Sequence, residues 1–310
     1  RRAWAAAHGL SVSAGITGWS LPVSDMGEAR PELVAGLHTG ASVDVARAIM
    51  TTDSFPKVRD AEVGAGRLVA IAKGAGMVEP NLATMLVFIL TDVTISREEL
   101  RRALRDAVDG SFNSITIDGD QSTSDMVLAM SSGRKPPAGR NEFRTALETV
   151  CKQLATDIVR NGEGAGHVIR VSVEGAPDAS DARAVAKAVS NSPLVKTAIF
   201  GNDPNVGRIV SAVGDYAGNN GLPLDLTRLR VRVGEETVFD EGAFALDREK
   251  EVRLSEYLSG ASMNPRLTGY PQHEREVEIS ISLGSGAGSA VVLGSDLSHE
   301  NIRENAHYRT

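Results

Sequence analysis

A single cysteine, Cys151, leaves the chain without any internal disulfide, and no Cys/His cluster has the spacing of a zinc site. So little thiol chemistry fits a reducing compartment, and the cytoplasm is the expected location. Positive charge is not in excess either. The 33 Lys and Arg residues face 40 Asp and Glu, for a net charge of -7, and no basic stripe is present. A nucleic-acid partner is therefore not expected. Long apolar runs are missing: the longest, Ala83 to Leu90, is far too short to cross a bilayer, so no membrane role is expected. The opening Arg1-Arg2-Ala3-Trp4-Ala5-Ala6-Ala7-His8 lacks the uninterrupted apolar stretch and cleavage context of an export signal. With no initiator Met before it, this start is expected to be internal protein sequence.

What is there is ordinary for a globular protein, with 42% hydrophobic and 24% charged residues over 310 positions. That is enough apolar material for one large domain or two moderate ones. A small anionic or zwitterionic substrate would have to be held by a local pocket, because the global field does not attract it.

Up to about Asp125, short apolar runs alternate with glycine-rich turns. Val69 to Ala72, Thr84 to Leu90 and Phe112 to Ile117 are expected to be strands. Ser96 to Val108 has a helical pattern, with Ser96 as N-cap, Glu98 and Glu99 in the first turn, and Leu100, Leu104 and Val108 on one face. Pro136, Pro137 and Gly139 make the strongest linker candidate. Beyond it a long helix is expected from Arg140 to Asn161, burying Phe143, Leu147, Val150, Leu154 and Ile158. Val168 to Val173 is expected as a strand and Asp181 to Asn191 as a helix, with half-solvated strands at Leu229 to Val233 and Val277 to Leu283. The mixture predicts a layered α/β architecture.

The densest chemical cluster runs from Lys73 to Leu86, KGAGMVEPNLATML, where a Gly/Pro-rich half stops abruptly at an apolar run opening with Thr84. Two readings fit these residues. One is a loop leading into a core strand with threonine at its first position. The other is an autoproteolytic junction, whose product is a threonine that uses its own α-amine as base. Such an amine titrates near about 8, so a useful fraction is free to accept the hydroxyl proton at neutral pH. The carboxylates Asp118, Asp120 and Asp125 lack the regular spacing and later bidentate Glu of a calcium loop, and no metal is expected. Gly284-Ser285-Gly286-Ala287-Gly288 lacks the lysine of a phosphate cradle and is expected to be a glycine-rich hairpin. His167 and His299, without partners in the sequence, are expected to be structural.

The junction segment resembles the self-cleavage segment of ornithine acetyltransferases, also called glutamate N-acetyltransferases, in which an Ala-Thr bond is cut. Further segments resemble the same family in the same order. They are AIMTTDSFPK from Ala48, SFNSITIDGDQSTSD from Ser111, NGEGA from Asn161, GNDPNVGR from Gly201, and the terminal NAHYRT from Asn305. Six independent matches make chance an unreasonable explanation. The resemblance implies a layered sandwich of mixed sheets and helices, shared with self-cleaving aminopeptidases. It also implies a cut between Ala83 and Thr84. Residues 1–83 would then be the C-terminal part of a small (alpha) chain, and 84–310 the large (beta) chain, with a second α/β domain starting near 140.

The resemblance further implies roles. Thr84 is the nucleophile that carries the acetyl group, and Thr51, Lys73, Thr84, Glu163, Asn305 and Thr310 fall on substrate-contacting positions. Charge logic agrees: Lys73 suits a carboxylate, and Glu163 suits an amino group. The implied reaction moves acetyl from N-acetylornithine to glutamate in arginine biosynthesis, with no cofactor or metal. Acetyl-CoA is an alternative acetyl donor in some members. The implied assembly is a heterotetramer of two alpha and two beta chains.

Two departures stand out. Ala14 occupies the place of a family threonine whose hydroxyl, with the Gly15 amide, forms the oxyanion hole. The family also has a further N-terminal stretch that precedes the first residue here. An impaired or truncated homologue with a structural role, and a paralogue in secondary metabolism, are therefore the alternatives. An aminopeptidase of related architecture is disfavoured by Lys73, Glu163 and the terminal motif. Val206, in place of a family tryptophan, is expected to be a packing adjustment.

Overall fold

A computed structural model describes residues 40–79, 85–120 and 125–307. Its first sheet is built on alternation. In β3 (Leu86–Val93), Val87, Ile89, Thr91 and Val93 turn inward, while Leu86, Phe88, Leu90 and Asp92 face partly outward. With β1 (Lys57–Val63), β2 (Gly66–Lys73) and β5 (Met126–Lys135) it forms the order β1-β2-β3-β5. The first three strands are antiparallel and β5 runs parallel to β3.

Two helices cover the inner face. The first is α2 (Arg97–Asp109), which follows the short α1 (Ser42–Ala48); the Ser96 hydroxyl caps α2 by accepting the Glu99 N–H. The other is α3 (Arg140–Arg160), which spans roughly 30 Å at a rise of 1.5 Å per residue. Phe143, Leu147, Val150, Cys151, Leu154 and Ile158 recur at steps of three and four and meet Leu68, Ala70, Val87 and Ile89 in one core. Burial pushes the Cys151 thiol up to about 12, so it stays protonated and inert.

The second sheet has the order β4-β11-β6-β10-β7-β8-β9. Its strands are β4 (Ile115–Thr116), β6 (Val168–Ala176), β7 (Arg230–Val233), β8 (Glu236–Asp240), β9 (Ala243–Phe244), β10 (Val277–Ser282) and β11 (Gly288–Ser295). Helices α4 (Ala179–Asn191), α5 (Pro193–Phe200), α6 (Val206–Asn220) and α7 (Arg248–Gly260) share its core, where Val206 is buried beside Ile209 and Val213. The whole is the α/β layered sandwich of mixed sheets and helices expected from the sequence.

Three local expectations are corrected. Phe112 to Ile117 is not one strand: Phe112–Ser114 forms a 3-10 turn, anchored by the Ser111 N-terminal flank, and only Ile115 and Thr116 pair with β11. The strand expected from Thr84 begins at Leu86, because the Met85 N–H is taken by the Asp125 side chain; Thr84 itself lies outside the described residues. The glycine-rich stretch at 284–288 is not a hairpin, because β6 lies between β10 and β11. It crosses the end of β6 so closely that a Cβ on Gly286 would sit 2.3 Å from the Ala176 carbonyl oxygen. His167 is structural as expected: its ring meets the Asp296 carboxylate at 2.7 Å and the Leu258 carbonyl at 3.1 Å. His299 packs edge-on against Phe200.

Leu147 is fully buried at the centre of the first core. Leu147→Ala should lower unfolding free energy by about 2–5 kcal/mol in urea titrations; a loss below that range would show that the core around α3 collapses onto the gap.

Candidate functional site

The turn after β2, Lys73-Gly74-Ala75-Gly76, is where four of the residues singled out from the sequence meet. Lys73 is buried, and its ammonium lies 3.4 Å from the Thr51 hydroxyl. Burial lowers its affinity for a proton, and the charges of Asp53, Asp125 and Glu163 partly restore it. Glu163 reaches the same turn from the loop after α3. Its N–H donates to the Ala75 carbonyl at 2.8 Å, and its carboxylate lies against Gly76, where a Cβ would come within 2.4 Å of it. A side chain at 76 would have to displace that carboxylate from its present place.

The far end of the chain closes the group. Helix α8 (His299–His307) brings Asn305, whose amide donates to Glu163 Oε2 at 3.1 Å. Asn301 on the same helix donates to the Glu163 carbonyl at 2.9 Å. The Ser298 hydroxyl donates to the Gly164 carbonyl at 2.6 Å and accepts the Asn301 N–H at 2.9 Å. Gly164 has φ +64, and a Cβ there would fall 2.3 Å from the Asn301 nitrogen, so this turn and α8 fit only with glycine.

Beneath the site lies a pair that the sequence reading did not assign. Asp53 and Lys57 are wholly buried and 2.5 Å apart, with Lys57 also donating to Asn161 Oδ1 at 2.6 Å. Asp53 Oδ1 accepts the Gly74 N–H at 2.9 Å and Oδ2 accepts the Thr51 N–H at 3.1 Å. Asn161 Oδ1 also takes the Ser54 N–H at 3.1 Å. One carboxylate thus fixes the loop bearing Thr51 and the turn bearing Lys73. Burial opposes charge on Asp53, but Lys57 and the two amides outweigh it and hold the carboxyl below its usual range. The signal was the Asp-to-Lys spacing of four inside the TTDSFPK segment, which cannot say that both side chains turn inward.

Thr84, Ala83, Ala14, Gly15 and Thr310 lie outside the described residues. The described residues beside 80–84 are held as follows. Leu86, two residues after Thr84, is the cross-strand partner of Lys73. Met85 donates its N–H to Asp125 Oδ1 at 2.6 Å and accepts from the Met126 N–H at 3.0 Å. Among the described residues no group of three His, Cys, Asp or Glu side chains could hold a metal ion, and no helix is long and apolar enough to cross a membrane.

Comparison with known proteins places this arrangement in a family. Residues 3–310 match the ArgJ family. The "Arginine biosynthesis bifunctional protein ArgJ" of Thermus thermophilus is 38% identical over 301 residues, covering 97% of this chain and 73% of that protein. The protein of the same name from Dehalococcoides mccartyi is 41% identical over 312 residues, covering 97% and 72%. The crystal structure of the arginine biosynthesis bifunctional protein from Bacillus halodurans superposes with a TM-score of 0.62 at 34% identity, covering 71% of this chain and 98% of that one.

Removing one member of the buried pair should be costly. Asp53→Ala or Lys57→Ala should each lower stability by about 3–5 kcal/mol, because the remaining charge stays buried and unpaired. Asp53→Leu with Lys57→Met should lose less than either single change in the same urea titration; an equal or larger loss would mean that packing, not charge, holds the pair.

Proposed function

The chain belongs to the ArgJ family, and we propose that it acts in arginine biosynthesis by moving acetyl from N-acetylornithine to glutamate through an acetyl-Thr84 intermediate. The observation that carries this reading is the meeting of Lys73, Thr51, Glu163 and Asn305 around the turn whose strand partner follows Thr84. A cation and a carboxylate side by side suit an amino-acid substrate, which carries both opposite charges.

In the proposed maturation, Thr84 Oγ attacks the Ala83 carbonyl carbon. The C–N bond breaks, the nitrogen takes up the proton, and an ester joins Ala83 to the Thr84 oxygen. Water hydrolyses that ester, leaving the Ala83 carboxylate and a free α-amine on Thr84. That amine then takes the hydroxyl proton as Oγ attacks the acetyl carbonyl, and returns it to the departing ornithine amine. Glutamate's amine attacks the resulting acetyl ester, N-acetylglutamate leaves, and Oγ recovers its proton. Lys73 would hold a substrate carboxylate, Glu163 an amino group, and Thr51, Asn305 and Thr310 would complete the pocket. No metal or cofactor takes part; acetyl-CoA is an alternative donor. The cut chains would assemble as a heterotetramer of two alpha and two beta chains, in the cytoplasm.

A second reading, a homologue with little turnover and a structural role, is favoured by Ala14. This side chain has no hydroxyl for the oxyanion, which leaves the Gly15 N–H as the donor at that position. Loss of one such donor slows turnover by about 10²- to 10³-fold.

On a denaturing gel the folded protein should resolve into one chain ending at Ala83 and one beginning at Thr84, and Thr84→Ala should run as a single uncut chain. An uncut wild-type protein would remove the mechanism. Ala14→Thr should raise acetyl transfer from N-acetylornithine to glutamate by up to about 10²- to 10³-fold; no gain would show that another group serves the oxyanion.

A further inference from the structure

Thr116, Ile117, Asp118 and Asp125 hold the described backbone on the two sides of residues 80–84. Upstream, Asp118 accepts two successive amides, the Met77 N–H at 2.5 Å and the Val78 N–H at 3.0 Å. The Val78 carbonyl accepts the Ile117 N–H at 2.7 Å. Glu79 accepts from the Thr116 hydroxyl at 3.0 Å and the Asn191 amide at 2.6 Å, with Lys187 3.5 Å away. Downstream, Asp125 Oδ1 takes the Met85 N–H, the first peptide N–H after Thr84. Met77 is held at φ +52, a left-handed conformation that a residue with a side chain adopts only where its surroundings enforce it.

We propose that Asp118 and Asp125 are positioning residues for self-cleavage, holding the backbone at Met77 and Val78 on one side of residues 80–84 and at Met85 on the other. The inference rests on the cleavage reading above. Its physical basis is conformational: a short segment pinned at both ends has few states to search, and attack needs the reacting atoms held about 3–3.5 Å apart. Asp118 and Asp125 supply the two pins. Asp125 also has a second oxygen that is buried and receives no hydrogen bond among the described residues.

Burial raises Asp125 to about 7, against the pull of the Met85 N–H and Lys73. Among the described residues, Arg101, Arg105, Asp106 and Asp109 are the other charged groups lining the groove that Asp125 shares with α2. Protonation of Asp125 weakens its acceptance of the Met85 N–H, so cleavage slows as pH falls through about 7.

The test is the rate at which newly translated full-length protein separates into two chains. Asp118→Asn and Asp125→Asn should each slow cleavage by at least about 10-fold, since misplacement of roughly 1 Å costs about 10²-fold, and Asp125→Glu should restore part of the Asp125 loss. The wild-type rate should fall on the acid side of neutrality, and Asp125→Asn should abolish that dependence. Cleavage of both Asn variants at the wild-type rate, or a wild-type rate independent of pH across neutrality, overturns the inference. Should the Asn variants fail to fold, the wild-type pH profile and Asp125→Glu decide. A wild-type chain that never cleaves overturns the cleavage reading itself, a separate outcome.

Discussion

Everything around the candidate site depends on one buried carboxylate. Asp53 has a charged partner in Lys57 and two backbone partners, Thr51 and Gly74, that belong to different segments. Taking two charges out of water is expensive, and their attraction offsets it only where every remaining hydrogen-bonding position is filled. Here Asn161 fills one by accepting from Lys57, which also ties the end of α3 to the same point. The loop with Thr51, the turn with Lys73 and the segment leading to Glu163 are therefore three branches of one network.

That network explains how residues distant in sequence come together at one turn. Glu163 hangs from Ala75 and from Asn301, so the turn and the C-terminal helix hold it from opposite sides. Glycines at 76 and 164 are the spaces that let this happen. Lys73 meets the Thr51 hydroxyl on one side of the turn, and the Glu163 carboxylate meets the Asn305 amide on the other.

Much of this was legible in the sequence, for identifiable reasons. Ser96 with Glu99 announced α2, and the steps from Phe143 to Ile158 announced α3, because a capping hydroxyl and a 3.6-residue period are local signals. Strand β1 was not seen: KVRDAEV is heavily charged, and its place is set by pairing with β2 and by burial of Lys57. The path of 284–288 was misjudged because a glycine cluster marks a close backbone approach without saying to what. At the site, Thr51, Lys73, Glu163 and Asn305 were found through family resemblance. Asp53, Asp118 and Asp125 were not assigned, because a carboxylate serving backbone amides looks in sequence like any other acidic residue.

The ladder between β2 and β3 has a consequence for the order of events in the protein's life. It joins residues before the Ala83–Thr84 bond to residues after it, from Leu68 opposite Thr91 to Lys73 opposite Leu86. Made separately, the later piece would present β3 as an unpaired apolar edge, open to pairing with other molecules. The proposed scission would therefore have to follow sheet formation, and its two products would inherit a pairing formed while the chain was whole.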